Sequence, residues 1–252
     1  AGAVPARFEG EVWSTLRNEI LSRQGGHVDT GLQGTYFMTK LFTDSSLGFG
    51  GEDALIHTFA TNPTAPGYAD LLSKGFTTWP EAWGTCKDQT SQPFQCPASN
   101  WTSGSTSPAH GCLNGIGQWF VSGLGGIRRA PGYVGYQRFE LRPAYGIAGM
   151  PGASATFVSP YGEIASSWSD DAKMSHVKYN ITVPPNTRAY VYLRADDGSS
   201  VFESGRPVNQ VEGVRLVRTL HQNRLPSLAI FEVGSGQYAF QSSRRFQDAA
   251  WV

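Results

Sequence analysis

Gly75–Phe76–Thr77–Thr78–Trp79–Pro80–Glu81–Ala82–Trp83 sets one carboxylate between two indoles, directly after a glycine that ends a helix. A glutamate flanked by Trp79 and Trp83 is expected to be partly desolvated. Desolvation disfavours the charged form and moves the pKa towards neutrality, where the group accepts or donates a proton. Aromatic faces also suit the apolar face of a sugar ring. The plainer reading makes both indoles core residues and Glu81 a cap.

Working outward, the residues before this stretch read as helices. Phe8, Val12, Leu16 and Ile20 recur every four positions between Pro5 and Arg23, and Gly25–Gly26 ends that helix. Asp29 or Thr30 then caps a segment carrying Leu32, Tyr36, Phe37 and Leu41, on which Gly31 and Gly34 permit close approach. A third helix runs from about Glu52 to Asn62–Pro63, and a fourth over Tyr68–Lys74, closed by Gly75. Ile116, Trp119, Phe120 and Leu124 mark a fifth, whose many glycines imply tight packing.

Beyond Pro131–Gly132 the period becomes extended. Phe139–Leu141, Ala155–Val158, Glu163–Trp168, Val177–Val183, Ala189–Leu193, Val201–Glu203, Val214–Val217, Leu228–Val233 and Tyr238–Gln241 are strand-like runs between Gly, Pro, Asp and Asn turns. They predict an antiparallel β-sandwich over 136–252, after a helical domain over 1–135.

The chain has 252 residues with 20 basic and 20 acidic side chains, so the total favours neither nucleic acid, an anionic membrane nor a strongly charged substrate. No apolar run reaches the ~18 residues of a spanning helix. Cys86 and Cys96 bracket a short polar loop that a disulfide closes easily, while lacking the spacing of a metal site. Asn100–Trp101–Thr102 and Asn180–Ile181–Thr182 are N-glycosylation patterns; with the cysteine loop they point to a secreted, lysosomal or vacuolar protein. Cys112 is read either as a buried thiol or as a bridge to an upstream segment.

Gly26–His27–Val28–Asp29–Thr30–Gly31–Leu32–Gln33–Gly34–Thr35, the Gly75–Trp83 stretch, His110 with Gly115–Ile116–Gly117–Gln118–Trp119–Phe120, Pro131–Gly132–Tyr133 and Ser159–Pro160–Tyr161–Gly162–Glu163–Ile164 occur in one order. As a set they resemble the C-terminal part of bacterial-type α-L-rhamnosidases, glycoside hydrolase family 78. The resemblance implies an (α/α)6 barrel followed by a β-sandwich, and inverting hydrolysis of terminal α-L-rhamnosides in rhamnose-containing glycans or glycosides, without a metal or redox cofactor. About five helices are too few for six hairpins. The chain therefore reads as the second half of a barrel, with an upstream segment or companion chain covering its apolar faces.

Inversion uses two carboxyl groups about 6.5–9.5 Å apart, an acid for the leaving oxygen and a base for water. The resemblance places the base at Glu81 and the acid in the upstream half, so this chain by itself should be inactive. It also places His110 against the sugar. Trp79, Trp83, His27 and Asp29 complete the pocket candidates, although His27 and Asp29 serve equally well to cap the next helix. Two departures stand out: Ala109 where the family usually has asparagine, and Pro80 where many relatives have tryptophan. They keep open a second reading, a catalytically degenerate member that binds glycans or is a structural extracellular protein. His57, His176 and His221 read as structural or surface residues.

Overall fold

The computed structural model describes residues 4–28, 30, 33–43, 52–81, 83, 107, 109–171, 176–221 and 227–243. Asp29, Cys86, Cys96 and Asn100 lie outside them. Two compact units divide the chain, Ala1–Trp119 and Phe120–Val252.

The first unit is helical. A tight turn at Ala6–Phe8 leads into α1 (Glu9–Asn18) and then a wider turn at Glu19–Arg23. Gly25 and Gly26 adopt φ of 61° and 85°, conformations open to glycine, and the Gly26 amide donates to the Ile20 carbonyl to close the helix. The expected apolar row is only partly covered: Ile20 is buried, but Phe8 and Val12 are exposed and α1 buries no residue. Its inward link is Trp13, packed edge-on against Phe42 and donating from Nε1 to Glu52, which also pairs with Arg17.

The face of α2 (Gly34–Thr43) differs from the one its aromatics imply. Thr35, Thr39, Phe42 and Thr43 are buried, whereas Tyr36 and Phe37 are exposed. A Cβ at Gly115 would lie 2.6 Å from the Tyr36 Cα, so α2 meets α5 (Gly115–Gln118) backbone to backbone. That approach leaves room for short side chains only. The Thr39 hydroxyl satisfies itself on the carbonyls of Thr35 and Tyr36, as β-hydroxyl residues in helices do. α3 (Asp53–Thr61) buries Leu55, Ile56 and Phe59, and α4 (Tyr68–Ser73) buries Tyr68 and Leu71 before Gly75 turns the chain at φ 83°.

The second unit is a sandwich of two sheets. One has the order β1 (Ile127–Arg129), β2 (Arg138–Leu141), β6 (Arg188–Arg194), β10 (Leu228–Val233), β9 (Val214–Leu220). The other runs β3 (Gly152–Ser159), β4 (Gly162–Asp171), β5 (His176–Val183), β11 (Gly236–Ser243), β7 (Val201–Glu203), β8 (Arg206–Pro207). All nine expected runs are strands; β1 and β8 were too short to show a period, and β1 precedes the expected change at Pro131–Gly132. One pairing breaks the antiparallel rule: β2 and β6 are parallel. Phe139, Leu141, Ile164, Trp168, Tyr179, Val191, Phe231 and Phe240 fill the space between the sheets. Two buried polar side chains find partners here, Trp168 Nε1 donating to the Leu124 carbonyl at 2.7 Å and Ser166 bonding the Tyr179 hydroxyl at 3.0 Å.

Candidate active site

Two segments distant in sequence meet where α4 ends. The Glu81 amide donates to the Ser107 carbonyl at 2.9 Å, and the Ser107 amide donates to Glu81 Oε2 at 3.0 Å. The His110 amide in turn donates to the Trp79 carbonyl at 2.8 Å. These bonds clip 79–81 against 107–110 like a short pair of strands and fix the direction of the glutamate. Glu81 is half-buried, and among the described residues its Oε1 accepts no hydrogen bond.

Tyr68 is the post behind this clip. It is buried, its ring meets Trp79 and Trp83 edge-on, each at 5.0 Å, and its hydroxyl donates to the Leu113 carbonyl at 2.7 Å. Burial pushes the phenol well above its ordinary pKa, so it remains a donor. Among the described residues, the ring contacts of both indoles are with Tyr68. Trp83 is buried, and its Nε1 meets no acceptor among the described residues. Trp79 is half-buried and reaches the surface.

There it lines a cleft of about 530 Å³, together with Leu72, Phe76, Thr77, Thr78, Ala109, His110, Gly111 and Asn114. The lining combines an indole, an imidazole, two threonine hydroxyls and a carboxamide, the mixture of apolar face and hydrogen-bonding edge that a sugar ring offers in complement. Trp79 and His110 share this cleft; Glu81 and Trp83 stand beside it in sequence but are not among its lining residues. Pro80 is buried, and Ala109 contributes a methyl group where a carboxamide was the expected neighbour.

His27 is committed elsewhere. Its Nδ1 donates to the Pro66 carbonyl at 2.9 Å, and Nε2 lies 3.0 Å from the Thr64 hydroxyl, so the ring holds the connection between α3 and α4. Of the other histidines, His57 sits on α3 with its pKa lowered by burial, His176 begins β5, and exposed His221 contacts Ser227. Cys112 falls in the turn Gly111–Leu113, and Asn180 is exposed on β5. Tyr68, Ser107 and Asn114 were not among the sequence candidates. Only Tyr68, a large polar aromatic on a helix about two turns ahead of the motif, carried a signal that would have found it.

Helical hairpins followed by a two-sheet sandwich, with this cleft on the helical unit, define the class: a six-hairpin glycosidase domain joined to a C-terminal sandwich domain. The bacterial alpha-L-rhamnosidase 6 hairpin glycosidase domain matches residues 1–124, and the bacterial alpha-L-rhamnosidase C-terminal domain matches residues 126–206. An alpha-L-rhamnosidase of Formosa agariphila is 25% identical over 97% of this chain and 23% of its own length. One of Streptomyces avermitilis is 28% identical over 88% of this chain and 18% of its own length. The crystal structure of Streptomyces avermitilis alpha-L-rhamnosidase complexed with L-rhamnose superimposes with a TM-score of 0.73 at 26% identity, over 95% of this chain and 20% of that one. The alpha-L-rhamnosidase from Dictyoglumus thermophilum, 22% identical, shares the fold with a TM-score of 0.74 over 96% of this chain and 24% of its own. The chain belongs to the bacterial α-L-rhamnosidase family. It spans about a fifth of the length of the curated relatives it matches.

Proposed function

We propose that this chain is the C-terminal part of an inverting α-L-rhamnosidase that removes terminal rhamnose from a glycan or glycoside. Glu81 is the general base, activating water, while Trp79 and His110 hold the sugar. The observation that carries this reading is the clip between 79–81 and 107–110. It ties the segment that carries Glu81 and Trp79 to the one that carries His110, so that Trp79 and His110 line one cleft and Glu81 is held two residues along from that indole.

An upstream segment supplies the general acid and covers the apolar side chains that α1, the turn before it and α2 leave open, Phe8, Val12 and Phe37 among them. In inversion the acid gives its proton to the leaving oxygen as water, deprotonated by Glu81, attacks the anomeric carbon from the opposite face. The anomeric bond to the aglycone breaks and one to water oxygen forms.

The test is release of 4-nitrophenol from its α-L-rhamnoside by the complete protein, upstream segment included. Glu81→Gln keeps the shape of the clip but cannot take a proton, and should lower kcat by about 10²–10⁴-fold. Equal rates in wild type and variant would remove Glu81 from the mechanism, and binding of L-rhamnose without any turnover in either would favour the degenerate reading.

A further inference from the structure

The inner side chains of the five-stranded sheet, Phe139, Leu141, Ala189, Val191, Ala229 and Phe231, belong to the core. Alternation along the strands therefore turns Arg138 and Glu140 of β2, Arg188, Tyr190 and Tyr192 of β6, and Ile230 and Glu232 of β10 to the other face. Across the next ladder, Arg215 stands opposite Glu232 and Arg218 opposite Ile230.

These groups form one connected layer. Glu232 pairs with Arg138 at 2.9 Å and also with Arg215, while Arg138 bonds the Tyr190 hydroxyl at 2.9 Å. Tyr192 donates to Glu140 at 3.0 Å and lies under the Arg142 guanidinium at 5.3 Å; the Arg138 guanidinium lies over Tyr133 at 5.2 Å. Arg194, next on this face of β6, is matched by Asp170 at 3.8 Å. Arg128 of β1, opposite Glu140, donates to the Ser122 carbonyl. Apart from these two, five arginines, Arg138, Arg142, Arg188, Arg215 and Arg218, surround two carboxylates. Among the described residues Arg188 and Arg218 form no ion pair, and both are exposed.

We propose that this face binds an acidic polysaccharide, a glycan carrying carboxylate or sulfate groups. From β2 to β9 the arginines cross three strand spacings, about 14 Å, which matches a chain of repeated charges better than one small anion. Guanidinium forks bind carboxylate and sulfate in pairs of hydrogen bonds. A neutral total charge does not oppose this, because the excess is local and acts within about a Debye length, ~10 Å at 0.1 M salt. The choice of a glycan over other polyanions rests on the glycosidase reading above.

The full 252-residue chain is tested by affinity electrophoresis through gels containing polygalacturonate, heparin or neutral dextran. Both acidic polymers should retard the wild type, dextran should not, and salt near 0.5 M should abolish the effect. R188Q/R218Q should bind at least about fivefold more weakly with an unchanged melting curve, and R188K/R218K should recover part of the loss. Absence of retardation by both acidic polymers, or equal retardation of wild type and R188Q/R218Q, would overturn the proposal. Tighter binding of duplex DNA than of either polysaccharide would overturn the choice of a glycan. Because retardation needs no catalysis, a failed Glu81 assay and a failed gel are separate results.

Discussion

Among its ten residues α1 buries none, while five of the six residues of β10 are buried. The two units share one chain but treat apolar side chains differently. Two sheets face each other within Phe120–Val252, so each strand's inner row has an opposing row to meet, and the core closes. Its exposed apolar residues, such as Val134, Val158 and Phe202, lie in a turn or near sheet edges, as isolated surface residues commonly do. The helices of Ala1–Trp119 instead leave Phe8, Val12, Leu21, Phe37 and Leu72 open along several elements. Such a surface calls for cover, and a sandwich with its core already filled does not.

The contrast is most severely tested at Phe139, fully buried between the sheets. Phe139→Ala should cost about 3–5 kcal/mol in urea unfolding of the chain, and a loss below about 1 kcal/mol would mean that the sandwich core is not closed. A smaller effect is expected at Glu232. The hydrogen bond from Arg215, helped by the charges of Arg215, Arg138 and Arg188 and opposed by burial, holds its carboxyl below the ordinary 4.5. A lowered folded-state value means that the unfolded chain binds the proton first. The contribution is therefore complete above pH 4.5 and is lost as pH falls through the lowered value. Glu232→Gln should cost about 2 kcal/mol at neutral pH, with the difference from wild type shrinking in acid. A constant difference across that range would assign the cost to packing. Smallest of all, Val12→Ser with Phe37→Ser should shift unfolding by no more than about 0.5 kcal/mol, yet reduce self-association in sedimentation velocity. A loss as large as that of Phe139→Ala would show that the open helical face is in fact a core.

Element positions were legible where a local period exists. The nine strand runs and the helix-ending glycines at 25, 26 and 75 depend on alternation and on positive φ, both properties of neighbouring residues. The face of α2 was not legible, because the backbone of Tyr36 is met by Gly115 of α5, about eighty residues away, while Thr35 and Thr39 are buried. The same holds for the site. Glu81, Trp79 and His110 were visible as motif members, but Ser107 was not: a backbone amide that clamps a carboxylate leaves no trace in residue type.

Between Gly75 and Trp83, the sequence by itself determined where the helix stops and which carboxylate and indoles follow, since φ preference and side-chain chemistry are carried by single residues. Only the tertiary structure decided what those side chains face. It turned both indoles onto Tyr68, tied Glu81 to Ser107, spent His27 on Pro66, and gathered arginines from three separate stretches onto one sheet face in a chain of zero net charge. The physical reason is that contacts depend on register and helix approach over tens of residues, which no local pattern records.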